Sequence, residues 1–139
     1  MTRLLDINVL LAMAWPKHPN HAQVHAWLKA VKKENGKIGI ATCPITELGF
    51  CRISMRLPDG AADLESAGTV LSYLLDRKEY SHTFITDDLA FPSWALQRPD
   101  APDAAQLTDI YLASLAERHG AKLLTMDQGI TGPTVELIS

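Results

Sequence analysis

The sequence predicts an α/β fold with a mainly parallel sheet and helices on both of its faces. Short apolar runs of β-like composition alternate with longer segments in which apolar residues recur at the helical period. Such alternation is typical of parallel sheets built from strand–helix–strand units. The chain has 139 residues, and its hydrophobic fraction of 47% and charged fraction of 21% are ordinary for a soluble globular protein. We therefore expect one domain spanning residues 1–139.

The first half of the chain is expected to hold two strands and four helices. Three boundaries follow from single residues: Pro16 stops the first helix, Gly36 suits the position just beyond the second, and Pro44 suits the first turn of the third. The predicted strands are 2–6 and 37–41, and the predicted helices are 9–15, 19–35, one beginning at Pro44, and 61–78.

The second half is expected to hold three strands, one long helix and an irregular segment. Pro92, Pro99 and Pro102 make residues 87–103 irregular, with a short helix at 93–96. Asp103 or Thr108 is expected to cap the long helix, which runs to residue 118 and ends at His119-Gly120. The predicted strands are 82–85, 122–126 and 134–138.

Four acidic residues lie in largely apolar stretches of these elements. Asp6 and Asp127 each end a short apolar strand, at the sheet edge where open α/β folds bind ligands. Glu47 falls near the start of the third helix, and Asp109 shares a helical face with apolar residues. Because burying an unpaired carboxylate is costly, the four acids suggest one shared site.

Carboxylates that converge need a compensating cation. Two such charges ~4 Å apart repel by about 4 kcal/mol at an effective dielectric of about 20. Oxygen ligands without histidine or cysteine suit Mg²⁺ or Mn²⁺, and such an ion activates water for attack on phosphorus. The expected chemistry is therefore phosphodiester hydrolysis.

Each acid also has a local alternative role. Asp6 could be only a helix N-cap, and Glu47 and Asp109 could be first-turn acids that favour the helix dipole. Asp127 could simply begin the turn that includes Gly129.

Polar neighbours of the acids are candidates to hold a carboxylate or a metal-bound water. These are Asn8, Thr46 and Thr125, with ordinary capping or turn bonding as the alternative for each. Asp87 and Asp88 also follow a predicted strand, and we expect them to be solvated loop residues.

The net charge of −3 does not by itself indicate a nucleic-acid-binding protein, although a local basic face is compatible with it. The basic residues of the first half are expected on solvated faces, with contacts to RNA phosphates as the alternative. These residues are Lys29, Lys32, Lys33, Lys37, Arg52 and Arg56. Trp94 is expected in the core or an interface, with stacking on a base as the alternative.

Cysteine and histidine are not expected to bind a metal. Cys43 and Cys51 fit no ligand spacing, and we expect reduced thiols. The five histidines form no ligand pattern, although His21 and His25 stand at i, i+4.

The chain is expected to be a soluble cytoplasmic protein. No uninterrupted apolar stretch approaches the ~18 residues of a membrane span. The N-terminal region superficially resembles a signal peptide, but Asp6 and Asn8 interrupt it where it should be most apolar.

An ordered set of motifs closely resembles the PIN-domain nucleases, and most of all the VapC-type toxins of bacterial toxin–antitoxin pairs. The set runs from residue 4 to residue 127 in the family's order and approximate spacing. Its parts are Leu-Leu-Asp-Ile-Asn-Val-Leu at 4–10, Thr-Glu-Leu-Gly at 46–49, Thr-Asp-Ile-Tyr-Leu-Ala-Ser-Leu-Ala at 108–116, and His-Gly-Ala-Lys-Leu-Leu-Thr-Met-Asp at 119–127.

The resemblance implies a three-layer α/β/α sandwich with about five parallel strands, and cleavage of structured single-stranded RNA such as tRNA or rRNA with Mg²⁺ or Mn²⁺. The family's four acids map onto Asp6, Glu47, Asp109 and Asp127. Its polar residue after the first acid maps onto Asn8, and its threonine before the last acid onto Thr125.

The resemblance also implies partners. A cognate antitoxin would block the acidic cleft with its tail, and the chain would form a homodimer or a toxin–antitoxin hetero-oligomer. One departure concerns the substrate, because no basic residue directly beside the acids is placed to grip the scissile phosphate. Whether one metal or two would bind is left open.

Two other functions are weighed against a nuclease. A phosphatase of the haloacid-dehalogenase type also begins with an aspartate at a strand end and uses Mg²⁺, but it needs a second aspartate where this chain has Asn8. An RNA-binding or regulatory PIN-like module without turnover is the non-enzymatic alternative, and the four intact acids argue against it.

Overall fold

The computed structural model describes residues 1–100 and 102–139, which form five strands and six helices. The strands are β1 (Thr2–Leu5), β2 (Ile38–Thr42), β3 (Tyr80–Phe84), β4 (Lys122–Thr125) and β5 (Val135–Leu137). The helices are α1 (Ile7–Ala14), α2 (His21–Asn35), α3 (Pro44–Ser54), α4 (Leu64–Leu75), α5 (Phe91–Leu96) and α6 (Leu107–Arg118).

All neighbouring strands pair in parallel, in the order β3-β2-β1-β4-β5. The chain first moves outward from β1 to β2 and β3, and then crosses to the opposite side of β1 to form β4 and β5. Because strand–helix–strand crossovers are right-handed, this reversal places the later helices on the opposite face of the sheet. The strand order therefore switches between β1 and β4, and this is where ligands bind in such folds.

Two apolar clusters cover the two faces of the sheet. On one face, Leu5 and Ile40 pack in a cluster with α1, α2, α3 and α4. On the other face, Leu4 and Ala41 pack with α5 and α6. Alternate residues of a strand point to opposite faces, which is why neighbours in sequence belong to different clusters. The predicted α/β/α sandwich with a parallel five-stranded sheet is confirmed.

Side-chain caps shift two predicted helix starts. Asp6 caps α1 by accepting a hydrogen bond from the Val9 amide, so the helix begins at Ile7 and the preceding strand ends at Leu5. Asp63 caps α4 in the same way, and this helix begins at Leu64 instead of residue 61. The acidic residues in both loops decide the boundary, because an aspartate side chain satisfies an amide that the helix leaves unpaired.

The start of α6 also differs from the prediction. Neither Asp103 nor Thr108 is its N-cap; that position is Gln106. The Asp103 carboxylate still accepts a hydrogen bond from the Gln106 amide, at 3.1 Å, and so closes the turn that leads into the helix.

Trp94 lies in the core, which was the location expected for it, and not at a surface where it could stack on a base. Its side chain is buried, and its ring packs edge-on against Tyr111 at 5.1 Å and beside Phe91 at 5.3 Å. The irregular segment is thereby attached to α6 by aromatic contacts, and the Trp94 ring faces do not lie open to a nucleic-acid base.

Both cysteines are free thiols, as predicted. Cys43 is the N-cap of α3 and is fully buried, whereas Cys51 lies within that helix and is half-buried. Across the described part of the chain, no helix combines the length and the apolar character needed to cross a bilayer.

Phe50 of α3 is fully buried in the first of the two apolar clusters, and its ring stacks on Trp15 with centroids 6.4 Å apart. We expect Phe50→Ala to lower the free energy of unfolding by about 3–5 kcal/mol, because truncation leaves a cavity in the core. Leu48→Ala, on the exposed face of the same helix, should change it by less than about 0.5 kcal/mol. Urea unfolding measures both, and equal losses would contradict this packing.

Candidate active site

Asp6 lies at the switch point, directly after β1. Its amide donates to the Leu124 carbonyl of β4 at 3.1 Å, so it extends the pairing of the two central strands. Its side chain is only 2% exposed. Oδ1 accepts a hydrogen bond from the Val9 amide at 2.7 Å, and Oδ2 accepts one from the Thr125 hydroxyl at 2.5 Å. Asp6 is therefore an N-cap, and it is also tied to the neighbouring strand.

Thr125 connects two of the candidate acids. Its hydroxyl donates its only proton to Asp6 Oδ2 and accepts a hydrogen bond from the Asp127 amide at 3.0 Å. The Asp127 carboxylate in turn accepts from the Gly129 amide at 2.9 Å, which is the turn bond expected of Asp127 in its local role. This threonine, the last residue of β4, thus fixes the relative position of Asp6 and the backbone of Asp127.

Asp109 approaches the same place from α6. It lies in the first turn of that helix, as expected for an acid that favours the helix dipole. Burial raises the pKa of the half-buried Asp109 carboxyl, and the nearby Asp127 raises it further. Asp109 and Asp127 are therefore close enough for their negative charges to interact.

The pKa of Asp6 is raised from its ordinary value of 3.8 to about 6, mainly by burial. Hydrogen bonds from Thr125 and Val9 oppose the rise in pKa. The charges of Asp109 and Asp127 add to it. Asp6, Asp109 and Asp127 consequently form a group of mutually repelling carboxylates at the switch point.

No protein cation compensates this group in residues 1–100 and 102–139. The ion pairs found there involve other acids, such as Arg3 with Glu136 and Arg118 with Asp88. Burial combined with repulsion and no internal counter-charge favours binding of an external cation.

Glu47 lies in the first turn of α3, the helix that follows β2. It is not among the charges that shift the pKa of Asp6. Its Oε2 instead accepts a hydrogen bond from the Thr42 hydroxyl at 2.7 Å, and the same hydroxyl lies 2.7 Å from Nε2 of His82. Charge interactions thus link Asp6, Asp109 and Asp127, and Glu47 is held by a hydrogen bond from Thr42.

Sequence reasoning missed Thr42 and His82. His82 was given no chemistry, and Thr42 was not singled out. They meet because β2 and β3 pair with Ile40 opposite His82 and Thr42 opposite Phe84, which puts both side chains on one face of the sheet. Alternation within each predicted strand was visible in the sequence, but the pairing register that brings the two residues together was not.

The other polar candidates have mixed outcomes. Asn8 is exposed on α1, and within the described residues its side chain makes no hydrogen bond. Thr46 forms a capping box with Cys43, so its hydroxyl serves the start of α3 and does not hold a carboxylate. Asp87 is exposed, as expected. Asp88 is exposed too, but it pairs with Arg118 and His119, and the hydrogen bond from His119 is the largest cause that lowers the pKa of Asp88.

The pair His21 and His25 serves a structural purpose. Their rings lie 4.3 Å apart, and each ring bonds a carbonyl in the last turn of α1, His21 to Ala12 at 2.6 Å and His25 to Met13 at 2.9 Å. Helix ends leave such carbonyls without partners. The two imidazoles therefore complete the end of α1.

The donor set of the acidic group fits a hard divalent cation. Its side chains supply carboxylate oxygens alone, which suit Mg²⁺ or Mn²⁺ better than zinc. Within the described ranges, no three His, Cys, Asp or Glu side chains are already arranged as a closed metal site. The carboxylates would therefore have to draw closer around an ion.

We expect Thr125→Val to raise the pKa of Asp6 above about 6 and to destabilise the protein, because the buried carboxylate loses a donor and the Asp127 amide loses its acceptor. The expected loss is about 1–3 kcal/mol at pH 8, and less at pH 4, where Asp6 is protonated. Thr125→Ser, which keeps the hydroxyl, is the control. Carboxyl NMR titration and urea unfolding measure both effects, and an unchanged Asp6 pKa in the valine variant would refute them.

Comparison with known proteins adds independent evidence. The PIN domain model matches residues 3–131. The chain is 38% identical over 132 residues to Ribonuclease VapC38 of Mycobacterium tuberculosis, covering 91% of this chain and 86% of that protein. It is 34% identical over 131 residues to Ribonuclease VapC39 of the same species, an alignment that covers 94% of this chain and 91% of that protein. It is 35% identical over 130 residues to Ribonuclease VapC29, also of that species, and this alignment covers 94% of this chain and 89% of that protein. With the parallel sheet and the acids at its switch point, these matches show that the chain belongs to the PIN-domain family and, within it, to the VapC-type proteins.

Proposed function

We propose that this protein is a toxin ribonuclease that hydrolyses phosphodiester bonds in RNA with Mg²⁺ or Mn²⁺. The observation that carries the proposal is the group formed by Asp6, Asp109 and Asp127, three carboxylates at the switch point with no protein cation among the described residues. Relatives named as ribonucleases, at 34–38% identity, support RNA as the substrate.

The three aspartates would hold the ion, directly or through water. A divalent ion there would supply Lewis acidity toward a phosphate and a reactive water at neutral pH. Thr125 keeps Asp6 in place through its hydroxyl, and burial raises the pKa of Asp6 to about 6, so its carboxylate is largely ionised at pH 7. Glu47 would act as a further ligand or as the base that positions water.

Asn8 and the biological setting belong to the same proposal. Asn8 is the second residue of α1 and is exposed, so its side-chain amide can reach a bound substrate or water. We further propose a structured single-stranded RNA such as tRNA or rRNA as substrate, a cognate antitoxin as partner, a homodimer or toxin–antitoxin assembly, and a cytoplasmic location. The relatives' names, Ribonuclease VapC38 and Ribonuclease VapC39, support the ribonuclease activity, and the resemblance to VapC-type toxins suggests the rest of this setting.

The proposal is tested by incubating the purified chain with tRNA and rRNA in Mg²⁺, in Mn²⁺ and in EDTA. We expect cleavage with either ion and none in EDTA. Cleavage that persists in EDTA would contradict the metal requirement. RNA binding without cleavage in any metal would instead favour the RNA-binding module without turnover, and an aspartyl-phosphate trapped on Asp6 would favour the phosphatase.

A further inference from the structure

We propose that Thr42 and His82 are positioning residues that hold the Glu47 carboxylate ready for its role at the metal. This inference rests on the proposed nuclease function, which supplies that role. Thr42 and His82 lie outside the group formed by Asp6, Asp109 and Asp127, and the proposal gives them a role through Glu47.

The hydrogen-bond direction follows from counting protons. The Thr42 hydroxyl has one proton and lies 2.7 Å from both Glu47 Oε2 and His82 Nε2. An ionised carboxylate only accepts, so the hydroxyl proton goes to Glu47. His82 must therefore carry a proton on Nε2 and donate it to the Thr42 oxygen. Burial lowers the pKa of His82 more than the charges of Glu47 and Asp76 raise it, which favours the neutral imidazole.

The three residues come from three adjacent elements with well-defined places. Thr42 is the last residue of β2 and is fully buried, and His82 lies on the same face of the neighbouring strand β3. Glu47 reaches back from the first turn of α3, whose start is fixed by Pro44 and the Cys43 capping box. Because strands and a capped helix carry these groups, their relative positions are set more precisely than they would be on loops.

This contact leaves one carboxylate oxygen free. Glu47 Oε2 is bonded to Thr42, whereas Oε1 accepts no hydrogen bond from the described residues. An ion or a water can therefore use Oε1 while the side chain stays fixed by Oε2. Fixing a long, flexible side chain in advance reduces the ordering cost of binding. Comparable outer contacts of metal ligands are worth 10–100-fold in metal affinity or activity.

The test compares variants that keep or remove each hydrogen bond. We expect Thr42→Val and His82→Leu to lower RNA cleavage about 10–100-fold at subsaturating Mn²⁺. Thr42→Ser keeps the hydroxyl and His82→Gln keeps an N–H donor, so both should stay much closer to the unaltered protein. Equal losses in the conservative and disruptive variants would overturn the proposal, because a role in packing alone would give that result.

A Glu47→Ala background separates positioning from a general structural effect. If Thr42 acts through Glu47, adding Thr42→Val to Glu47→Ala should change cleavage by no more than about twofold. If the two losses multiply, Thr42 does not act through Glu47. If Glu47→Ala cleaves like the unaltered protein while Asp6→Asn does not, the nuclease proposal stands and the positioning proposal fails.

A measurement on the imidazole does not depend on catalysis. In ¹⁵N NMR of the full chain, we expect His82 to be the Nε2–H tautomer, with that proton protected from exchange. Thr42→Val should expose it. A His82 found as the Nδ1–H tautomer would overturn the proposed direction of bonding. If the expected tautomer is seen but no RNA is cleaved, it is the proposed function that fails.

Discussion

The Asp6→Asn variant is expected to lose RNA cleavage by at least about 100-fold and yet to be at least as stable as the unaltered protein. Neutral asparagine cannot replace a charged ligand of a divalent ion, and even changes to residues behind such ligands cost 10–100-fold. Asparagine is as good an N-cap as aspartate, so its amide oxygen can still accept from the Val9 amide.

The stability of this variant follows from the pKa of Asp6. The folded protein raises that pKa from 3.8 to about 6, so it holds the proton more tightly than the unfolded chain does. The free energy of unfolding therefore falls as pH rises from about 4 to about 6, by about 3 kcal/mol in total, and the loss persists above pH 6. Asp6→Asn removes this loss and should gain up to about that amount at pH 7.5 without added metal.

Asp63→Asn is a matched control, because Asp63 also caps a helix through its side chain. Asp63 lies outside the acidic group, so the Asp63→Asn variant should cleave RNA normally. The backbone bond from Ser66 is the largest cause that lowers the pKa of Asp63, so its stabilising effect is lost as pH falls, opposite to Asp6. Urea unfolding from pH 4 to 8 and cleavage assays distinguish the two variants. An Asp6→Asn protein that is active, or that is destabilised at pH 7.5, would contradict these roles.

The second expected result concerns pH and metal affinity. Proton and metal compete for the Asp6 carboxylate, so the Mn²⁺ concentration for half-maximal cleavage should be constant above about pH 7. Below the Asp6 pKa of about 6, this concentration should rise roughly tenfold for each pH unit. The neighbouring Asp109, whose pKa burial also raises, would steepen the dependence.

Metal titrations of cleavage at a series of pH values provide this test, with RNA binding measured in parallel to exclude a loss of substrate affinity. Asp109→Asn removes one repelling charge, so the pKa of Asp6 should fall in that variant and its NMR titration should shift to lower pH. A half-maximal metal concentration that does not change between pH 5 and pH 7 would be inconsistent with Asp6 as a ligand.

The sequence was sufficient to predict the fold class and the positions of Asp6 and Asp127 at the ends of β1 and β4. Alternating apolar strands and amphipathic helices predict a parallel sheet, and aspartates that end β1 and β4 must then meet at one edge. The local roles of Asp6 and Asp127 were also predictable, and they turned out to coexist with the grouping: one carboxylate caps α1, and the other closes a turn.

Features that depend on strand register could not be predicted. From the sequence, Glu47 was expected to join the other acids, because the helical period places it on an inward face of α3. Its contact with Thr42, which also bonds His82, depends on how β2 pairs with β3 and where α3 begins. Side-chain caps are likewise not visible in the hydrophobic period, and the Asp63 cap starts α4 at Leu64 instead of the predicted residue 61.

Direct Mn²⁺ binding, followed by the EPR signal of the free ion at pH 7.5, tests most sharply whether Asp6, Asp109 and Asp127 form a metal site. The unaltered protein should remove Mn²⁺ from solution with a defined stoichiometry. Asp6→Asn and Asp109→Asn should bind it much more weakly, whereas Asp87→Asn, an exposed control that follows β3, should bind like the unaltered protein. Full-strength binding by Asp6→Asn, or an equal loss in Asp87→Asn, would show that the ion is not held by these aspartates.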